Sequence, residues 1–78
     1  MPKKNPLPSD RGRLMGSKWS ATAPVDREKH FRVVGVRSDR NGETSGLLIE
    51  LEALISRRRR EVQRDDLMDP ERWRPGWR

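Results

Sequence analysis

Residues 47–55, LLIELEALI, can be read in two ways, and the choice decides the fold. As a strand, Leu47, Ile49, Leu51, Ala53 and Ile55 alternate with Glu50 and Glu52, giving one apolar and one charged face. As a helix, Leu47, Leu48, Leu51, Leu54 and Ile55 form a stripe at i, i+1, i+4, i+7 and i+8. A helix would run on into Arg57, Arg58, Arg59 and Arg60, stacking like charges three and four apart at roughly 0.2–0.5 kcal/mol each. The strand reading avoids that repulsion and is adopted. Ser56, Arg57 and Arg58 then make a tight turn, and Arg59 to Leu67 form a return strand centred on Val62.

Working outward, residues 30–38, HFRVVGVRS, are rich in β-branched side chains and read as a strand. Phe31, Val33 and Gly35 share one face, with Arg32, Val34 and Val36 on the other. A glycine inside a strand marks a bulge or bend, so Gly35 is expected at one. Trp19, Ala21 and Ala23 alternate with Lys18, Ser20 and Thr22, a weaker strand signal, and residues 24–29 between the two are polar and turn-rich. Residues 38–46 read as a loop around Asn41-Gly42. Asp69-Pro70-Glu71 carries a helix-start signature for a short helix or single turn, stopped by Pro75-Gly76. The expected fold is mainly β: a small SH3-like or Tudor-like antiparallel barrel of three or four strands, closed by a short C-terminal helical turn that folds Trp73 and Trp77 back onto it.

Composition sets the size of that domain. Leu, Ile, Val and Phe together make only 15 of 78 residues, and the formal net charge is +6, so the whole chain sits near the disorder boundary of about 20%. Residues 1–13, MPKKNPLPSDRGR, hold one of those 15 and three of the six prolines, with four basic residues against one acidic. They are expected to be a disordered basic arm, leaving residues 14–78 as one small β domain with a single core. Half of the net charge lies in the arm, so the domain itself is only mildly basic.

The chain has no cysteine and one histidine, which excludes a disulfide staple and leaves too few ligands for a zinc site. Asp65, Asp66 and Asp69 lack the spacing of a calcium loop, and the scattered glycines form no phosphate-binding motif. No cofactor is expected. The N-terminus lacks the apolar run of about 7–15 residues that makes a signal peptide, and no stretch approaches the ~18 apolar residues of a membrane span. A cytoplasmic protein without a membrane partner, monomeric when free, is the expectation.

All three tryptophans lie at the edges of the foldable region, in a pattern that runs from Lys18-Trp19 through Pro24 to Glu28-Lys29-His30-Phe31 and on to Trp73-Arg74-Pro75-Gly76-Trp77. This pattern, spread over roughly residues 14–77, resembles the tryptophan-rich small-protein family of cyanobacteria and proteobacteria. The resemblance implies a bacterial protein in which these motif residues are structural, and it brings no activity with it.

Catalysis is not expected. His30 lies near Asp26 and Glu28, as a carboxylate-oriented base would, yet no companion nucleophile stands in an elbow or triad context. Glu50 and Glu52 would share a strand face about 7 Å apart, but a domain this small offers no cleft between them.

Binding is the stronger expectation. Arg57, Arg58, Arg59 and Arg60 at a hairpin tip, followed by Arg64, fan out guanidinium groups suited to phosphate oxygens. The competing reading is a solvated turn, or one paired with Glu61, Asp65 and Asp66. Lys3, Lys4, Arg11 and Arg13 of the arm add to the same field. Trp19 and Trp73 are expected in the core, and Trp77 is the one tryptophan that could stay exposed to stack on a base. The expected function is a non-catalytic RNA-binding accessory protein, with ribosomal RNA among its partners. The alternative is an SH3-like adaptor that grips a protein through an aromatic rim around Trp73 and Trp77, although a chain without tyrosine is poorly equipped for proline-rich peptides.

Overall fold

The 47–55 stretch is a strand. The computed structural model describes residues 3–8, 10–38 and 47–78, and in it β3 spans Leu47–Ala53 with Ile49, Leu51 and Ala53 buried on one face. It lies between β2 (Glu28–Ser38) and β4 (Arg59–Gln63). Ile49 and Ala53, which lie off the helical stripe, are both 0% exposed, and Ile55, expected on the apolar face in either reading, falls beyond the end of β3 and is 65% exposed.

With β1 (Lys18–Val25) and β5 (Trp73–Pro75), five strands form one antiparallel sheet in the order β4-β3-β2-β1-β5. The expected three or four strands are therefore five among the described residues, and the sheet is open there: β4 and β5 are its two edges and no ladder among the described residues joins them. The added strand is the Trp73 segment. After a single turn in which the Asp69 carbonyl accepts from the N–H groups of Arg72 and Trp73, the chain extends and pairs Trp73 with Ala21 and Pro75 with Trp19.

Two further expectations are corrected. The return strand does not reach Leu67: it stops at Gln63 and the chain turns into α2 (Arg64–Met68). Asp65 and Asp66 occupy the first turn of that helix, and the Asp66 carboxylate accepts from the Gln63 N–H at 3.4 Å, which suits the positive end of a helix better than a strand. Leu67 is thereby brought under the sheet, fully buried. In β2, the bulge falls at Gly35 as expected but changes the faces. Val33 pairs with Leu51, Gly35 with Glu50 and Val36 with Ile49. Gly35 thus leaves the face of Phe31 and Val33, and Val36 takes its place against the core.

The core is built from Trp19, Phe31, Val33, Ile49, Leu51, Ala53, Val62 and Trp73, capped by Leu14 and Leu67 from the helices. Phe31 and Trp73 meet edge to face, with ring centroids 5.1 Å apart at 81°, a geometry worth roughly 0.5–1.5 kcal/mol beyond burial. The N-terminal segment read from sequence as a disordered arm contributes to this packing in the described residues. Asn5 is 5% exposed, Leu7 packs against the core, and α1 (Arg11–Leu14) buries Leu14. The loop expected around Asn41-Gly42 lies outside the described residues. No helix among the described residues is long and apolar enough to cross a membrane.

Candidate nucleic-acid interface

The four consecutive arginines do not form one fan. Strand alternation and the β3–β4 turn, where Arg57 adopts φ 64°, send them in different directions. Arg57 reaches Glu52 at 3.7 Å; Arg58 reaches Glu28 at 3.2 Å and Asp26 at 3.5 Å; Arg59 reaches Glu50 at 3.0 Å and Glu52 at 3.5 Å. Arg60 points to the other face and lies over the rings of Trp73 and Phe31, 5.5 and 6.0 Å from their centroids. Intramolecular pairing was one of the two readings of this block, though the partners are carboxylates of β2, β3 and the β1–β2 turn rather than Glu61, Asp65 and Asp66. Glu61 pairs with Arg37 instead, at 2.7 Å. The arginines of these pairs are exposed while Glu28 and Glu52 are largely shielded, and pairs open to solvent on one side contribute only about 0–1 kcal/mol each to stability. Their effect on a ligand is larger in kind, because a polyanion approaching this end meets the carboxylates along with the arginines.

The remaining cations of the outer sheet face are arranged differently. Lys18 pairs with Arg32 across β1 and β2, and Ser20 pairs with His30 on one side and Arg74 on the other. By alternation these five residues share the face opposite Trp19, Phe31 and Trp73. Lys18, Arg32, Arg74 and Arg78 form no ion pair among the described residues, where the carboxylates of this face are engaged by Arg37, Arg57 and Arg59. The outer face is therefore divided into a neutralised half over β3, β4 and the two ends of β2 that carry Glu28 and Arg37, and a cationic half over β1, β5 and the His30–Arg32 part of β2, with Arg32 opposite Glu52 at the border.

Trp77 lies in the middle of the cationic half. Gly76 adopts φ +82°, a conformation open to glycine without penalty, and this turns the chain from the sheet edge across its outer face. Ser20, only 2% exposed, then grips the tail on both sides of the tryptophan: its hydroxyl donates to Gly76 O at 2.7 Å and accepts from Arg78 N at 2.9 Å. The indole Nε1–H donates to Phe31 O at 3.0 Å. His30 sits beside the ring with centroids 6.2 Å apart, and its Nε2 is 3.1 Å from Arg78 O. Lys18 Nζ lies over the ring, 4.6 Å from its centroid. Trp77 is held by all these contacts and is still 41% exposed.

The other residues expected at a phosphate site are dispersed. Lys3, Lys4 and Arg13 are exposed on the N-terminal segment and Arg11 opens α1. Arg64 opens α2, where its Nε is buried without a hydrogen-bond partner among the described residues. Of the motif residues, Trp19, Phe31 and Trp73 are core, and the Trp19 indole donates to Ser17 Oγ at 3.0 Å. Glu28 accepts from Ser56 and pairs with Arg58, joining the two turns at one end of the sheet. Pro24 and Lys29 are exposed. Trp73 and Trp77 lie on opposite faces, so they do not line a common rim. The groove beside Trp73, about 240 Å³ between β1, β4 and α2, has Arg60 over that ring and Arg72 tied to Asp66 and Asp69. No cluster of potential metal ligands occurs among the described residues.

Arg32, Arg74, Arg78 and Ser20 were not singled out from sequence. The signal was present as period-two alternation: Lys18 and Ser20 flank Trp19, and His30 and Arg32 flank Phe31, so once both aromatics are placed inside, these four must face out together.

Residues 17–78 match the family model described as Tryptophan-rich protein (DUF2389). No curated protein and no solved structure matches the chain.

Proposed function

The chain belongs to this tryptophan-rich protein family, and from that premise we propose that it is a non-catalytic RNA-binding accessory protein, acting on structured RNA such as that of the ribosome. The observation that carries the reading is the division of the outer face. Lys18, Arg32 and Arg74 share this face with the segment that carries Trp77 and Arg78, and none of the four cations has an ion-pair partner among the described residues. A phosphate backbone crossing β1 and β5 therefore meets cations and hydroxyls, while the bordering carboxylates Glu28 and Glu52 are already engaged by Arg57, Arg58 and Arg59. Each phosphate neutralised there releases condensed counterions, which gives affinity without base specificity. Arg57, Arg58 and Arg59 are secondary on this reading, since any phosphate they take must displace Glu28, Glu50 or Glu52. The order of strands, with β5 returning to β1 after a short helix, supports placing the sheet in the SH3-like class.

Sedimentation of the tagged protein from host lysate through a sucrose gradient, with and without nuclease and then with a salt wash, tests the proposal. Migration with RNA-containing particles that is lost on nuclease treatment and on raising salt is the expected result. Retention at the top of the gradient throughout would contradict it and favour a protein partner.

A further inference from the structure

We propose that Trp77 is a preformed stacking site for one unpaired RNA base, with Lys18 occupying the base's position in the free protein. The inference rests on the RNA-binding reading and adds to it the class of RNA: single-stranded segments or loops rather than duplex.

A large aromatic residue exposed outside regular secondary structure is ordinarily free to move, and a free indole makes a poor recognition element because binding must first order it. Trp77 is already ordered. Ser20 fixes the backbone before and after it, the indole Nε1–H is anchored on Phe31 O, and the His30 ring stands beside it. Those contacts consume the polar edge of the ring and hold it in place, while the Lys18 ammonium lies over its face, 4.6 Å from the centroid, and the residue remains 41% exposed.

The Lys18 contact is the weaker of the two that this surface can make. A cation–π contact at an exposed site is worth about 2- to 5-fold in an equilibrium constant, whereas a base stacked on an aromatic residue is worth about 5- to 100-fold. A base therefore displaces the lysine. The released ammonium stays within reach of the phosphates attached to that base, next to Arg32 on the neighbouring strand. Base and phosphate are thus taken by one pair of residues, and a duplex, whose bases are stacked on one another, can use only the phosphate half.

The test compares binding of the full chain to an oligouridylate of about 12 nucleotides, within the span a small β domain covers, and to a blunt RNA duplex of similar charge. Oligouridylate is expected to quench tryptophan emission from Trp77, since Trp19 and Trp73 are buried, and the quenching should be absent in Trp77→Phe. Trp77→Ala should weaken oligouridylate binding about fivefold or more and leave the duplex unchanged, while Trp77→Phe, which keeps a π-face, retains most of the affinity. Lys18→Ala should keep the quenching but lower the salt slope by about 0.7. Salt-dependent binding of both RNAs with no effect of Trp77→Ala, or equal losses for both Trp77 variants on both RNAs, would overturn the stacking site and leave the RNA reading standing. Absence of salt-dependent binding to either RNA would overturn both.

Discussion

The side-chain amide of Asn5 donates to Trp73 O at 2.7 Å, joining residues 68 apart in the chain. The same amide donates to Leu67 O at 3.0 Å, and the Asn5 backbone N–H donates to Met68 O at 2.7 Å. One residue thus satisfies three carbonyls where α2 gives way to the turn before β5, and it does so from outside the span matched by the family model.

Asn5→Ala removes two of those donors and leaves buried carbonyls unsatisfied at about 1–3 kcal/mol each. Chemical denaturation should show a loss of about 2–4 kcal/mol. A change below about 0.5 kcal/mol, the size expected at an ordinary surface position, would show that the N-terminal segment is not docked in solution.

A pair of substitutions in the 47–55 stretch checks the strand assignment. Ile49→Ala should destabilise the domain by about 2–5 kcal/mol, as large-to-small changes in a packed core do. Ile55→Ala should stay within about 0.5 kcal/mol, because Ile55 is exposed beyond the end of β3. A large loss at Ile55 with a small one at Ile49 would restore the helical stripe, which contains Ile55 and leaves out Ile49.

The strands were legible because alternation is a local signal. Trp19, Phe31, Ile49, Leu51 and Val62 declare their faces within a few residues, and Gly35 announces the bulge. The short elements were harder to read. The stop at Gln63 depends on Asp65 and Asp66 favouring a helix start over a strand continuation, and β5 exists only because β1 offers it an edge. Asn5, between Lys4 and Pro6, carries no local sign that three distant carbonyls await it. The candidate site was half legible for the same reason: Trp77 stood out by composition, but its cationic neighbours come from three strands. The arginine run stood out by density, and its carboxylate partners were assigned to sequence neighbours when cross-strand pairing supplies them.

Ser20→Ala removes the hydroxyl that brackets Trp77. The expected effect is local, about 1 kcal/mol of stability, with a clear increase in the accessibility of tryptophan to acrylamide as the tail loosens. Unchanged quenching would show that Trp77 is held without Ser20.

The division of the outer face into a neutralised and a cationic half is the central claim. Its most direct test is the salt dependence of RNA binding for two triple variants that remove the same charge, Lys18→Ala/Arg32→Ala/Arg74→Ala and Arg57→Ala/Arg58→Ala/Arg59→Ala. Equal changes in net charge cancel any effect of the overall field, leaving position as the only difference. The first variant should lower the slope of log K against log salt by about 2, roughly 0.7 for each lost phosphate contact on a single strand, and the second by less than half of that. A larger loss from the arginine triple would contradict the account and return the phosphate site to the hairpin tip.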